Sequence, residues 1–166
     1  MALRKILTEG NSALSKVCRP VTSFDERLAT LIDDMKETLV EANGVGLAAP
    51  QVGVLRRLVV VDLGDEIIEL VNPRILETSG EQDGLEGCLS VPGVYHDVVR
   101  PSKVIVKAQD ANGVEFTLKA SGLMARVIQH EYDHLDGVLF VDRLSEEERK
   151  KTLRAYEKKN RSKRRK

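Results

Sequence analysis

Leu28, Leu31, Ile32, Met35 and Leu39 recur at the spacing of one helix face, with polar residues filling most of the gaps. Ser23-Phe24-Asp25-Glu26 ahead of them has capping-box spacing, with Ser23 as the expected N-cap, and Gly44 is a suitable stop. This predicts an amphipathic surface helix. Residues 44–53 are too rich in Gly and Pro for a helix and read as extended chain with close backbone approach. Residues 57–62 and 67–71 read as strands, the second followed by Asn72-Pro73. Residues 103–109 and 114–119 are further strands, joined across Asn112-Gly113, a hairpin signal. Residues 122–135 form a helix closed by Gly137; Leu123, Met124, Val127, Ile128 and Leu135 wrap most of its circumference, which marks it as buried. Ser145 and Glu148 repeat the capping spacing and open a polar C-terminal helix. The pattern is that of a single α+β domain.

Composition narrows the class. A chain of 166 residues fits one domain, and it contains no apolar run long enough to cross a membrane. The first nine residues reach charge before a signal-peptide core can form, and Cys18 and Cys88 alone imply no disulfide framework. A cytoplasmic monomer is the expectation. The net charge of zero conceals an asymmetry: residues 149–166 hold eleven Lys or Arg and one acid, so residues 1–148 carry a net −10. An acidic body at 1–148 and a basic helix or tail at 149–166 suggest two jobs within one domain.

The chemistry lies in His130-Glu131-Tyr132-Asp133-His134. Four-residue spacing stacks His130 and His134 on one helix face, where both rings can reach one metal ion. Glu131 is rotated by about 100°, close enough to touch a water without binding the metal. The alternative is a pair of helix histidines with a salt-bridged glutamate, although a buried helix has little reason to carry all three. A hydrolytic metal site wants three protein ligands and an open position. One group of zinc proteases places its third ligand at the position of Phe140, which cannot bind metal, so a zinc endopeptidase is the weaker reading. Upstream, Cys88 in Glu86-Gly87-Cys88-Leu89-Ser90 is the better third ligand, since thiolate suits zinc or ferrous iron.

Three segments, GVGLAAPQ at 44–51, EGCLS at 86–90 and QHEYDH at 129–134, together resemble the three motifs of the peptide deformylase family, in order. The likeness extends to about Leu144. It implies β-sheets surrounding a central metal-bearing helix, and hydrolysis of the N-formyl group from the formyl-methionine of newly made polypeptides. By that resemblance Cys88, His130 and His134 hold the metal, and water activated there attacks the formyl carbon. Glu131 is general base and then acid, while the Gln51 amide and the Leu89 N–H stabilise the oxyanion. The family also implies Fe²⁺ as the native metal, with Zn²⁺, Ni²⁺ or Co²⁺ able to replace it. A C-terminal helix that can contact the ribosome, through rRNA or an exit-site protein, is implied too.

Leu123 and Val127 share the histidine face, so they and Val45 are expected to line the methionine pocket, with the stem of Arg126 at its edge. Gly44, Gly46 and Gly87 would let substrate backbone lie close as an added strand. Glu86 and Arg100 are the expected pair that steadies the cysteine segment. His96, outside the motifs, is expected to have no role in the chemistry.

Overall fold

Helix α1, Glu26–Glu41, buries Leu28, Leu31, Ile32, Met35 and Leu39, the residues whose spacing predicts it. The structure, a computed structural model describing residues 2–164, corrects its start. Asp25, not Ser23, is the N-cap, and its carboxylate accepts from the Leu28 N–H at 3.1 Å. A carboxylate satisfies a free N–H and also meets the positive end of the helix dipole. The helix closes with Asn43 at φ 55° and a bond from the Gly44 N–H back to Leu39.

Five antiparallel strands form the main sheet in the order β1-β2-β3-β6-β7: Gly46–Ala48, Leu58–Asp62, Ile67–Ser79, Lys103–Gln109 and Glu115–Ser121. Strand β2 explains how one sheet serves two cores. Leu58 and Val60 face the cluster built with α1, while Val59 and Val61 face the cluster built with helix α2, Gly122–Leu135. The metal-motif helix is therefore packed against one sheet face, with α1 on the other.

Asn72-Pro73 does not end β3. The register slips between Val71 and Arg74, and Asn72 takes φ 50°. Its side chain binds both the N–H and the carbonyl of Val21 and also Gln109. A bulge accommodates a proline that a regular ladder would reject. The β6–β7 hairpin turns at Gly113, φ 82°, as its sequence predicts.

A second sheet, the hairpin β4 (Gln82–Cys88) with β5 (Val91–Arg100), is absent from the sequence-based expectation. Its inner face joins a third cluster, where Val91, Val94 and Val98 meet Phe140 and Tyr156. Tyr156 and Thr152 are the buried points, among the described side chains, of helix α3, Glu146–Arg164, whose first turn is capped by Ser145. Arg165 and Lys166, part of the expected basic tail, lie outside the described residues. Among the described residues, no helix is long and apolar enough to cross a membrane.

Candidate metal centre

The four-residue period of α2 brings the rings of His130 and His134 edge to face, with centroids 5.1 Å apart. Cys88 ends β4, at the turn into β5, and the hairpin delivers its sulfur to the same point. One donor atom from each of Cys88, His130 and His134 lies within 4.8 Å of the others. Cys88 Sγ sits 3.4 Å from His134 Nε2. A cation bonding sulfur and nitrogen at tetrahedral angles would hold them about 3.5 Å apart, so this donor pair fits a metal without rearrangement.

The outer support of this cluster is dense. His130 Nδ1 lies 2.9 Å from Glu86 Oε1, which leaves Nε2 to face the cluster. Arg100 forks onto both oxygens of Glu86, at 2.5 and 2.9 Å, and Arg126 Nη1 reaches Oε2 at 2.5 Å. Burial alone would raise the Glu86 carboxyl, but hydrogen bonds from His130 and Arg100 outweigh it and hold the group down at about 2. The expected Glu86–Arg100 pair is thus present, but it reaches beyond the cysteine segment to a histidine. Arg126 lines the cavity as expected of its stem, and does more. Its guanidinium turns inward to Glu86 and to the Val98 carbonyl instead of only flanking a pocket.

Glu131 projects beside the cluster, with Oε1 3.9 Å from His134 Nε2. That Oε1 is buried with no hydrogen-bond partner among the described residues. Burial drives its carboxyl up to about 7, with His130 opposing the shift. His134 is pushed well below its ordinary value by burial and by His130. His130 is held high despite its burial, chiefly by Glu131 and by hydrogen bonds to Cys88 and Glu86. Gly46 in β1 passes so close that a Cβ there would stand 2.7 Å from Glu131 Oε2.

Gln51 is fully buried, and its amide has a fixed sense. Oε1 accepts from the Ala48 N–H at 2.9 Å, so Nε2 points at Ser90 Oγ, 3.0 Å away, and at Cys88 Sγ, 3.7 Å away. A cavity of ≈ 360 Å³ opens over Gln51, Cys88, Leu89, His130 and Glu131. Val45, Gly46, Gly87, Arg126 and Val127 line it, as does Leu123, which at 69% exposure stands on the rim. Leu85 and Tyr95 also line it and went unread, because the hairpin that carries them was itself unread. Ser90, Asp133 and Arg143 were missed as well, although the first two lie inside quoted motifs. His96 lies apart, paired with Glu148 at 2.9 Å.

The family model for polypeptide deformylase matches residues 3–150. The chain belongs to the polypeptide deformylase family. As a deformylase it is an enzyme, and its Cys–His–His group is a possible metal-binding set for a metalloenzyme class. It is 59% identical to the peptide deformylase of Caldicellulosiruptor bescii over 89% of this chain and 92% of that one. Against peptide deformylase 1 of Bacillus subtilis the identity is 52%, covering 87% and 92%. Among solved structures, a Legionella pneumophila peptide deformylase superimposes with TM-score 0.94 at 49% identity over 99% of both chains. The Ehrlichia chaffeensis enzyme in complex with actinonin gives TM-score 0.92 at 37% identity, covering 97% and 99%. The deformylase fold is therefore that of a single α+β domain with its sheets around α2. Deformylases act on nascent formyl-methionine polypeptides.

Proposed function

We propose that this chain hydrolyses the formamide bond of N-terminal formyl-methionine on new polypeptides, releasing formate, with one divalent cation held by Cys88, His130 and His134. The observation that carries the reading is the convergence of that sulfur and two imidazoles beside the buried carboxyl of Glu131, with Cys88, His130 and Glu131 on the wall of a single cavity. A cation held there would supply Lewis acidity of the kind that lowers the pKa of water toward about 7. Glu131 accepts the proton lost by the attacking water and passes it to the departing amine, a task suited to a buried carboxyl whose Oε1 has no hydrogen-bond partner among the described residues. Gln51 Nε2, its direction set by Ala48, donates to the developing oxyanion together with the Leu89 N–H. Removing one such donor typically costs about 3 kcal/mol.

Val45, Leu123 and Val127 take the methionine side chain, and Gly46 and Gly87 let substrate backbone run alongside β1 and β4. The native metal is Fe²⁺; Zn²⁺, Ni²⁺ or Co²⁺ can fill the same donors. Anaerobic purification, metal analysis and a formate-release assay on one sample test the reading. Stoichiometric iron with high activity supports it; equal activity in aerobic, zinc-only enzyme sinks the iron assignment. Absence of formate release from formyl-Met peptides sinks the activity.

We further propose that residues 1–148 perform catalysis in a cytoplasmic monomer, and that 149–166 form a basic extension of the same domain that meets ribosomal RNA or an exit-site protein. Support comes from α3, which among its described side chains buries only Thr152 and Tyr156 deeply and leaves Lys150, Lys151, Arg154 and Lys158 exposed. Deleting 149–166 would also strip Tyr156 from its cluster, so reversing those four charges is the cleaner test. The reversed variant should lose salt-sensitive co-sedimentation with ribosomes and keep its turnover of short formyl-Met peptides. Undiminished co-sedimentation would retire the ribosome assignment.

A further inference from the structure

We propose that Asp133 and Arg143 are positioning residues for the metal centre, forming the outer half of a hydrogen-bonded circuit that aims His130. The inference rests on the reading of Cys88, His130 and His134 as metal ligands. Starting from His130 Nδ1, the circuit passes to Glu86 at 2.9 Å and through the Arg100 fork. Arg100 Nη1 then reaches Asp133 Oδ2 at 3.0 Å. Asp133 belongs to α2 itself, three residues after His130, so the circuit leaves the helix through the ring and returns to the same helix one turn on. A closed loop of this kind fixes the ring relative to its own backbone, which a single hydrogen bond to Glu86 would not do.

Arg143 closes the loop against solvent. Its Nη2 and Nε grip the two oxygens of Asp133 at 2.6 and 3.0 Å. The arginine side chain is 50% exposed, whereas the Asp133 side chain is 9% exposed. A second cavity, of ≈ 290 Å³, lies on this side and is lined by Arg100, Asp133 and Arg143. Without the Arg143 fork, water from that cavity could compete with Arg100 for the carboxylate. The short turn Phe140–Arg143 also touches the histidine directly, because the Phe140 ring stacks on His130 with centroids 6.2 Å apart. One turn therefore braces the ligand twice, through an aromatic face and through Asp133.

Cobalt-substituted protein provides the test, with the visible spectrum, the Co²⁺ dissociation constant from chelator competition and the melting temperature read on each sample. Asp133→Asn should weaken Co²⁺ binding about tenfold and shift the ligand-field bands; Arg143→Ala should weaken it by severalfold, at the low end of the range for outer-shell partners, ~10-fold or less. Arg143→Lys, which keeps one donor, should fall between Arg143→Ala and wild type. Arg57→Ala is the control, since Arg57 ties the Leu135 carbonyl and Asp136 at the end of the same helix but is outside the circuit. It should lower the melting temperature and leave the cobalt spectrum and affinity unchanged.

The proposal is overturned if Asp133→Asn and Arg143→Ala bind Co²⁺ like wild type with unchanged bands. It is equally overturned if Arg57→Ala perturbs the spectrum as much as they do. A wild-type spectrum with no thiolate-to-cobalt band, or one whose band survives in Cys88→Ser, would instead defeat the ligand assignment, and this inference with it.

Discussion

At Glu131 the demands of chemistry and stability conflict. The group is buried, one oxygen has no partner among the described residues, and its carboxyl is raised to about 7 from the ordinary 4.5. A carboxyl raised by folding contributes stability that is complete below about 4.5 and is lost as pH rises through about 7. Glu131→Gln should therefore abolish most turnover, by about 10²–10⁴-fold, because the proton carrier is gone. The same change should raise the melting temperature of chelator-treated protein at pH ~8, with the gain shrinking toward pH ~5. Melting curves at both pH values check this, and a variant no more stable than wild type at the higher pH would refute it. Residue by residue, the sequence is readable where spacing alone implies convergence, as with His130 and His134. It is silent on Ser90, Asp133 and Arg143, because their importance comes from partners 10 to 39 positions away that only the tertiary fold supplies.

Among the elements, α2 and β6 could be read to their ends and β7 to within two residues, since each carries its own period and its own stop. The β4–β5 hairpin could not. The buried residues of β5 are Val91, Val94, Val98 and Arg100, spaced three, four and two apart, and the ladder shifts register between Glu86 and Cys88. An irregular strand that bends to present a cysteine lacks the alternation that reveals an ordinary one. Strand β3 hid its full length similarly, behind a bulge at Asn72-Pro73. The stop of α2 supports a prediction at this scale. Gly137 has φ 75°, and a Cβ there would lie 2.6 Å from the Ser15 carbonyl carbon and oxygen. Gly137→Ala must bear both a left-handed backbone and a backbone clash, so urea unfolding should show a loss of more than about 1–3 kcal/mol. Gly10→Ala has φ 99° but open space around it, and should show the backbone part alone. Equal losses in the two variants would mean that the contact between the helix end and the Ser12–Ser15 turn contributes nothing.

For the whole molecule, zero net charge is a poor guide, because what counts is where the charges are paired. Three carboxyls that join distant parts of the chain are held below their ordinary values. Asp34 is lowered by the Ala2 N–H and by Arg4, which tie the N-terminal segment to α1. Glu69 is pushed up by burial, but Lys36 at 2.9 Å and the Ala111 N–H at 3.0 Å bring it below 4.5. Glu86 is held at about 2. The unfolded chain takes up these protons near 3.8–4.5 and the folded chain only at lower pH, so the unfolded state binds more protons in that interval. Stability is then complete above about 4.5 and drains away as pH falls toward about 2. Glu131 titrates above this window and does not mask it. Glu69→Gln isolates one contribution far from the metal centre, since glutamine still accepts from Ala111 but carries no charge for Lys36. Its urea midpoint should lie below wild type at pH ~6, and the gap should narrow as both are acidified below the ordinary carboxylate range and wild-type Glu69 gains its own proton. Midpoints that fall in parallel would show that the Lys36–Glu69 tie between α1 and β3 carries no share of the acid sensitivity.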